Sequence, residues 1–101
     1  KMIELEDAVM EIIVNAGQSR SLCFEALRAA RAGNFDEAKK LLREADGYSR
    51  QAHHMQTKLI EQDAGEARQP MTLIMVHAQD HLMTSMLARE LAEEIIHLYQ
   101  R

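Results

Sequence analysis

The stretch "LIMVHAQDHLMTSMLAREL", Leu73 to Leu91, is built mostly of Leu, Ile, Met and Val. Its centre nevertheless holds His77, Asp80 and His81, with Thr84 one turn beyond. On a helix turning about 100° per residue, Asp80 lies about 60° from His77 on one side and His81 about 40° on the other. Leu73, His77, Asp80, Thr84, Leu87 and Leu91 follow a 4-3-4-3-4 spacing, so polar groups interrupt an apolar heptad seam. Gln79 points to nearly the opposite face from His77.

Two imidazoles and a carboxylate in five residues admit three chemistries. They can sit at the edge of a core, satisfied by one another or by water. His77 and His81, at i and i+4, can chelate zinc together with Asp80. The glutamate of a His-Glu-x-x-His protease is missing, which speaks against hydrolytic zinc. Finally, one imidazole can act as a nucleophile and take up a phosphoryl group, since neutral imidazole offers a nitrogen lone pair at physiological pH. Spacing alone leaves the three open.

The elements that must position these groups are helices. Leu5, Val9, Ile12, Ile13, Ala16, Cys23, Ala26, Leu27 and Ala30 trace a first helical stripe, interrupted around Gly17–Arg20. Gly33 is expected to end that helix in the left-handed conformation, and Asn34 to cap the next. Phe35, Ala38, Leu41, Leu42, Ala45, Tyr48, Ala52, Met55 and Leu59 form a cleaner second stripe, with Asp36 and Glu37 suited to its positive end. "QDAGEARQP" (Gln62–Pro70) collects Gly65 and the only Pro, so it reads as a loop. The predicted helices run over about 2–32, 35–62 and 71–100 of a single domain, 1–101. Each is about 40 Å long, and together they make an all-α, up-down-up antiparallel three-helix bundle. The Ala26–Ala45 hairpin looks like one tetratricopeptide unit, but no second copy follows at 34 residues.

The third helix is apolar on too many sides for two partners to cover. Leu73, Leu87, Leu91 and Leu98 line one face, while Met75, Val76, Leu82, Met83, Met86, Ile95 and Ile96 line others. Such a helix is buried nearly all round, which predicts self-association.

Composition narrows the function classes. The chain has 101 residues, 47% of them hydrophobic, seven Met and no Trp. A chain of this size supports one core that buries about two-thirds of its unfolded surface. A net charge of −4 without a basic, aromatic-interleaved patch argues against nucleic acid. The single Cys23 excludes an internal disulfide, suits a reducing compartment and reads as a small core residue. The longest fully apolar run, Leu73–Val76, is far short of a membrane span. The chain opens on Lys1, as a trimmed one would, and shows no signal-peptide pattern, so a cytoplasmic location is expected. His53 and His54 read as structural or exposed, His97 as solvated, and Glu90, Glu93 and Glu94 as a solvated face.

Four stretches carry a family resemblance: "NAGQSRS" (Asn15–Ser21), "ARAGNFDEAKKLL" (Ala30–Leu42), "AHHMQTKLIEQDAGE" (Ala52–Glu66) and "VHAQDHLM" (Val76–Met83). In this order and spacing they resemble the lactose/cellobiose-type enzyme IIA proteins of the bacterial sugar phosphotransferase system. "QTKLIEQDAGE" and "HLMTSMLAREL" look most like the diacetylchitobiose-specific branch. Ser19 stands where that pattern has Ala.

The resemblance implies a homotrimer of nine helices that acts as a phosphocarrier in sugar uptake. His77 would accept a phosphoryl group on Nε2 from the histidine carrier protein HPr and pass it to a cysteine of the cognate IIB. By the same resemblance, Asp80 from three subunits would meet around a divalent cation, usually magnesium, on the threefold axis. His81 would donate a hydrogen bond to a phosphoryl oxygen, and Gln79 would face a neighbouring subunit's site. Two rivals remain. A two-component histidine phosphotransfer domain carries Lys three residues after its histidine, where this chain has Asp80. The other is a non-catalytic helical metal-binding or scaffolding trimer.

Overall fold

The computed structural model describes residues 4–101. Three helices, α1 (Leu5–Arg31), α2 (Phe35–Ala64) and α3 (Leu73–Tyr99), run up, down and up along a slender body of 51 × 22 × 18 Å. No strand occurs among the described residues. The three expected helices are all present. Residues 2 and 3, where the first was expected to begin, lie outside the described residues. The interruption of the α1 stripe at Gly17–Arg20 is not a break, because the helix continues through it.

The turns explain the helix ends. Gly33, at φ +86°, is the one described residue in the left-handed region. It lets its own N–H reach the Ala30 carbonyl at 2.9 Å and the Asn34 N–H reach the Ala29 carbonyl at 2.8 Å. That pair of bonds is a Schellman motif, closing α1 as expected. Asn34 departs from expectation. It stands at the α2 N-cap, but its side chain makes no capping bond. Its backbone, at φ −93° and ψ 72°, lies outside the extended region from which a cap side chain reaches back to the first turn. Thr72 caps α3 instead, accepting a 3.3 Å hydrogen bond from the Met75 N–H. The third helix therefore starts at Leu73 rather than Met71. α2 runs two residues further than expected, to Ala64. The loop behind it is closed by the Gln69 N–H, which donates to the Asp63 carboxylate at 2.7 Å.

α1 packs along both other helices, whereas α2 and α3 meet over a shorter stretch. The core falls into two parts. One holds Val9, Ile12, Leu59, Met75 and Leu82, and the other holds Leu22, Cys23, Leu42 and Ile96. Much of the rest is alanine, which lets helix backbones approach closely but buries little apolar area per residue. Among the fully buried residues are Ser19 and Ser85. Ser85 Oγ donates to the Leu82 carbonyl at 2.7 Å, while Ser19 Oγ has no hydrogen-bond partner.

One chain cannot cover α3. Met75, Leu82 and Ile96 face the core, but Leu73, Leu87, Leu91 and Leu98 are 86%, 54%, 52% and 60% exposed. So many large leucines in water along one face are unfavourable, and they mark a surface for association. No described helix is long and apolar enough to cross a membrane.

Candidate functional site

The seam fixes the setting of the polar trio. Asp80 lies on it, between Leu73 and Leu87, and its side chain is exposed in the single chain. Thr84, also exposed, turns its hydroxyl back onto its own helix, donating to the carbonyls of Asp80 (2.8 Å) and His81 (3.3 Å). The Asp80 carboxylate is thus free of hydroxyl competition from one turn above.

His77 and His81 flank the seam on its α1 side. Their rings stack with centroids 5.6 Å apart and planes inclined by 14°, the contact that i, i+4 spacing allows on a helix. The two imidazoles differ in environment, because His77 is exposed and His81 half-buried. Burial holds the proton affinity of His81 below the ordinary imidazole value, and the charges of His77 and then Arg20 push it the same way. His81 is therefore a neutral donor–acceptor ring near pH 7, while His77 is exposed to solvent. Neither ring is a satisfied core histidine. Among the described residues, no three His, Cys, Asp or Glu side chains of one chain converge on a metal position. Chelation of zinc within a single subunit by His77, His81 and Asp80 is therefore not the arrangement present.

Gln79 does lie apart from the His77–His81 pair. It is half-buried on the α2 side of α3, where its Oε1 accepts from Gln56 Nε2 at 2.5 Å. Gln56 also reaches Met83 Sδ at 3.7 Å. The Gln79 Nε2 donates to Met75 Sδ at 3.8 Å, a weak acceptor, so the second hydrogen of its amide NH2 remains for other groups.

Two neighbours of the candidate site residues escaped the sequence reading. Gln56 sits within the second apolar stripe, four residues after Ala52 and three before Leu59, and that polar intrusion was the available signal. Gly17 lies in the interrupted part of the first stripe, opposite the His81 ring. The other candidates lie where sequence expected. Cys23 is buried and its thiol is pushed above its ordinary pKa by burial, and His53, His54 and His97 are exposed. Glu90 and Glu94 are solvated, whereas Glu93 pairs with Arg89 at 2.7 Å.

A three-helix chain with an exposed imidazole, a neutral neighbour stacked on it and uncovered leucines on one face defines a small helical-bundle domain with a face left for association. Comparison with known proteins makes the class specific. Residues 7–100 match the family model described as PTS system, Lactose/Cellobiose specific IIA subunit. The chain is 52% identical to the PTS system N,N'-diacetylchitobiose-specific EIIA component of Escherichia coli (strain K12), covering 97% of this chain and 84% of that protein. The PTS cellobiose-specific enzyme IIA from Bacillus anthracis superposes with a TM-score of 0.93 at 37% identity, over 99% of this chain and 92% of that one. The IIA(Chitobiose) of the Escherichia coli N,N'-diacetylchitobiose branch, solved in complex with HPr, superposes with a TM-score of 0.84 at 51% identity, over 97% and 95% of the two chains. The chain belongs to the lactose/cellobiose-specific IIA family of the sugar phosphotransferase system.

Proposed function

We propose that this chain is a cytoplasmic phosphocarrier that takes a phosphoryl group from HPr onto His77 Nε2 and hands it to a cysteine of IIB, for uptake of a disaccharide of the chitobiose, cellobiose or lactose type. The observation that carries this reading is the exposed His77 ring backed by the neutral, half-buried His81, in a chain whose relative is solved with HPr. In the first step the Nε2 lone pair of His77 forms a bond to phosphorus as the nitrogen–phosphorus bond of phospho-HPr breaks. The bonding pair returns to the HPr imidazole. In the second step a IIB thiolate forms the sulfur–phosphorus bond, and the pair of the breaking nitrogen–phosphorus bond returns to His77. No water is consumed in either step.

Such transfer asks the protein for positioning and charge stabilisation. A phosphoryl group brings close to two negative charges and three acceptor oxygens. His81, holding one ring proton, donates to one of those oxygens. The flank of the seam excludes water when a partner docks, which protects the phosphohistidine during transfer.

The working unit in this proposal is a homotrimer joined along the α3 seam, nine helices in all. Three copies of Asp80 then face one another, and three such carboxylates repel unless protonated or neutralised. Asp80 fits a hard divalent cation such as Mg2+, because it supplies an oxygen donor, lies on the face to be covered and is not bonded by Thr84. One such ion per trimer would supply charge neutralisation at the axis, not chemistry. In the same assembly the amide NH2 of Gln79 in one subunit, which within its own chain makes only a weak bond to Met75 Sδ, serves a neighbouring subunit's His77.

The test is incubation with enzyme I, HPr and phosphoenolpyruvate. An acid-labile phosphoryl group is expected on the wild-type chain and is lost in His77→Gln. A His77→Gln chain that still becomes phosphorylated, or a wild-type chain that stays unmodified, overturns the reading and leaves the scaffolding trimer in its place.

A further inference from the structure

Gly17 stands in the middle of α1, where glycine weakens a helix relative to alanine. Its backbone does not require glycine, because Gly33 is the one described residue at positive φ. Close approach of two helix backbones does not require it either. A Cβ built at Gly17 meets a single neighbouring group within 4 Å, the Nε2 edge of His81, at 3.2 Å. That separation is tighter than side chains normally accept, so the His81 ring would have to shift.

We propose that Gly17 is a positioning residue of the phosphoryl-transfer site, leaving the space in which the His81 ring lies parallel to His77. The inference rests on His77 being the phosphoryl carrier. A phosphorus bound to an imidazole nitrogen lies in the plane of that ring, and its oxygens project out of the plane, toward a parallel neighbour. With the planes inclined by 14° and the centroids 5.6 Å apart, the His81 ring lies next to the ring that carries the group it is to bind. A methyl at position 17 pushes the Nε2 edge away from α1, which tilts the ring and misdirects the donor. Small misplacements of this kind cost transfer rate even where binding is intact. The electrostatics agree with the placement. Arg20, one turn along α1 from Gly17, is close enough for its charge to be felt by His81, and its guanidinium rests 5.4 Å from the Phe24 ring centroid.

A structural role and a positioning role predict opposite signs for Gly17→Ala. As helix residues, alanine outranks glycine, so the variant melts at or above the wild-type Tm. As a positioning defect, it lowers kcat for phosphorylation by phospho-HPr about tenfold or more, with KM for HPr unchanged. The rates are measured in wild type, Gly17→Ala, His81→Ala and the double variant. Loss through His81 requires that Gly17→Ala have no further effect once His81 is alanine. A Gly17→Ala chain with wild-type kcat overturns the proposal, as does an equal loss with and without His81 or a change confined to KM. A wild-type chain that HPr does not phosphorylate instead defeats the underlying carrier reading and the inference with it, whereas a His81→Ala chain at full rate overturns the inference and leaves His77 as the carrier.

Discussion

Arg89 of α3 grips Asp46 of α2 with two nearly parallel bonds, Nε to Oδ1 at 2.7 Å and Nη2 to Oδ2 at 3.1 Å, while its Nη1 reaches Glu93 at 2.7 Å. α2 and α3 share the smallest helix–helix contact in the bundle, so this fork is a principal tie between them. The Arg89 and Asp46 side chains are 21% and 34% exposed, partly shielded but still reached by solvent. Arg89→Met keeps an apolar stem and removes the fork. It is expected to lower unfolding free energy by about 1 kcal/mol, below the value of a dry charged pair because water screens this one. Asp46→Asn should cost a similar amount and Glu93→Gln less than about 0.5 kcal/mol, since that pair is an exposed i, i+4 bridge. Urea unfolding decides the point, and equal effects of Asp46→Asn and Glu93→Gln would deny the fork its role.

Ser19 makes the opposite prediction. Its Oγ is completely buried and has no hydrogen-bond partner, so folding strips the hydroxyl of water without replacement. Ser19→Ala removes that penalty at almost constant volume and should stabilise the chain by about 1 kcal/mol. A lower Tm for Ser19→Ala than for wild type would mean that the hydroxyl finds a partner in solution.

These two cases show what was legible in advance. The three helices were, because apolar spacing near 3.6 residues persists along each, and the cluster of His77, Asp80 and His81 stood out as polar groups in an otherwise apolar helix. Helix ends were less so. Asn34 and Thr72 are both good capping residues, and only the tertiary course of each turn decides that Thr72 bonds and Asn34 does not. Contacts between helices were least legible. Arg89 and Asp46 are 43 residues apart, Gln56 and Gln79 are 23 apart, and Gly17 meets His81 across two helices. Periodicity within a helix tells which face is apolar, not which residue of the next helix lies at the same level.

The depressed proton affinity of His81 gives a pH dependence. Its folded pKa lies below the ordinary value of 6.5, so below that pH the unfolded chain binds the proton first. The contribution is fully present above about 6.5 and is lost as pH falls through the folded pKa. The difference in stability between wild type and His81→Gln should therefore change between neutral and mildly acidic pH, with wild type losing more. In the proposed carrier, phosphorylation of His77 would place an anion beside the ring and should raise the His81 pKa. NMR titration of the ring nitrogens reads both effects. A His81 midpoint at or above that of free histidine in the unphosphorylated chain would contradict the burial argument.

Association through α3 sets the last expectation. Leu73, Leu87, Leu91 and Leu98 leave much of their side chains in water in the single chain, and burying a leucine fully is worth about 1.5–3 kcal/mol. Replacing Leu87 with Glu should therefore give a monomer by sedimentation while helical content is retained, because Leu87 contributes nothing to either part of the core. Asp80 modulates the same equilibrium with the opposite sign. In the proposed trimer three carboxylates meet, so chelation of divalent ions should weaken wild-type association. Asp80→Asn removes the repulsion and should associate at least as tightly with chelator as wild type does with Mg2+. A wild-type trimer indifferent to chelator would mean that the Asp80 side chains do not share an axis, and a wild-type monomer would mean that the leucine seam is covered by something other than copies of itself.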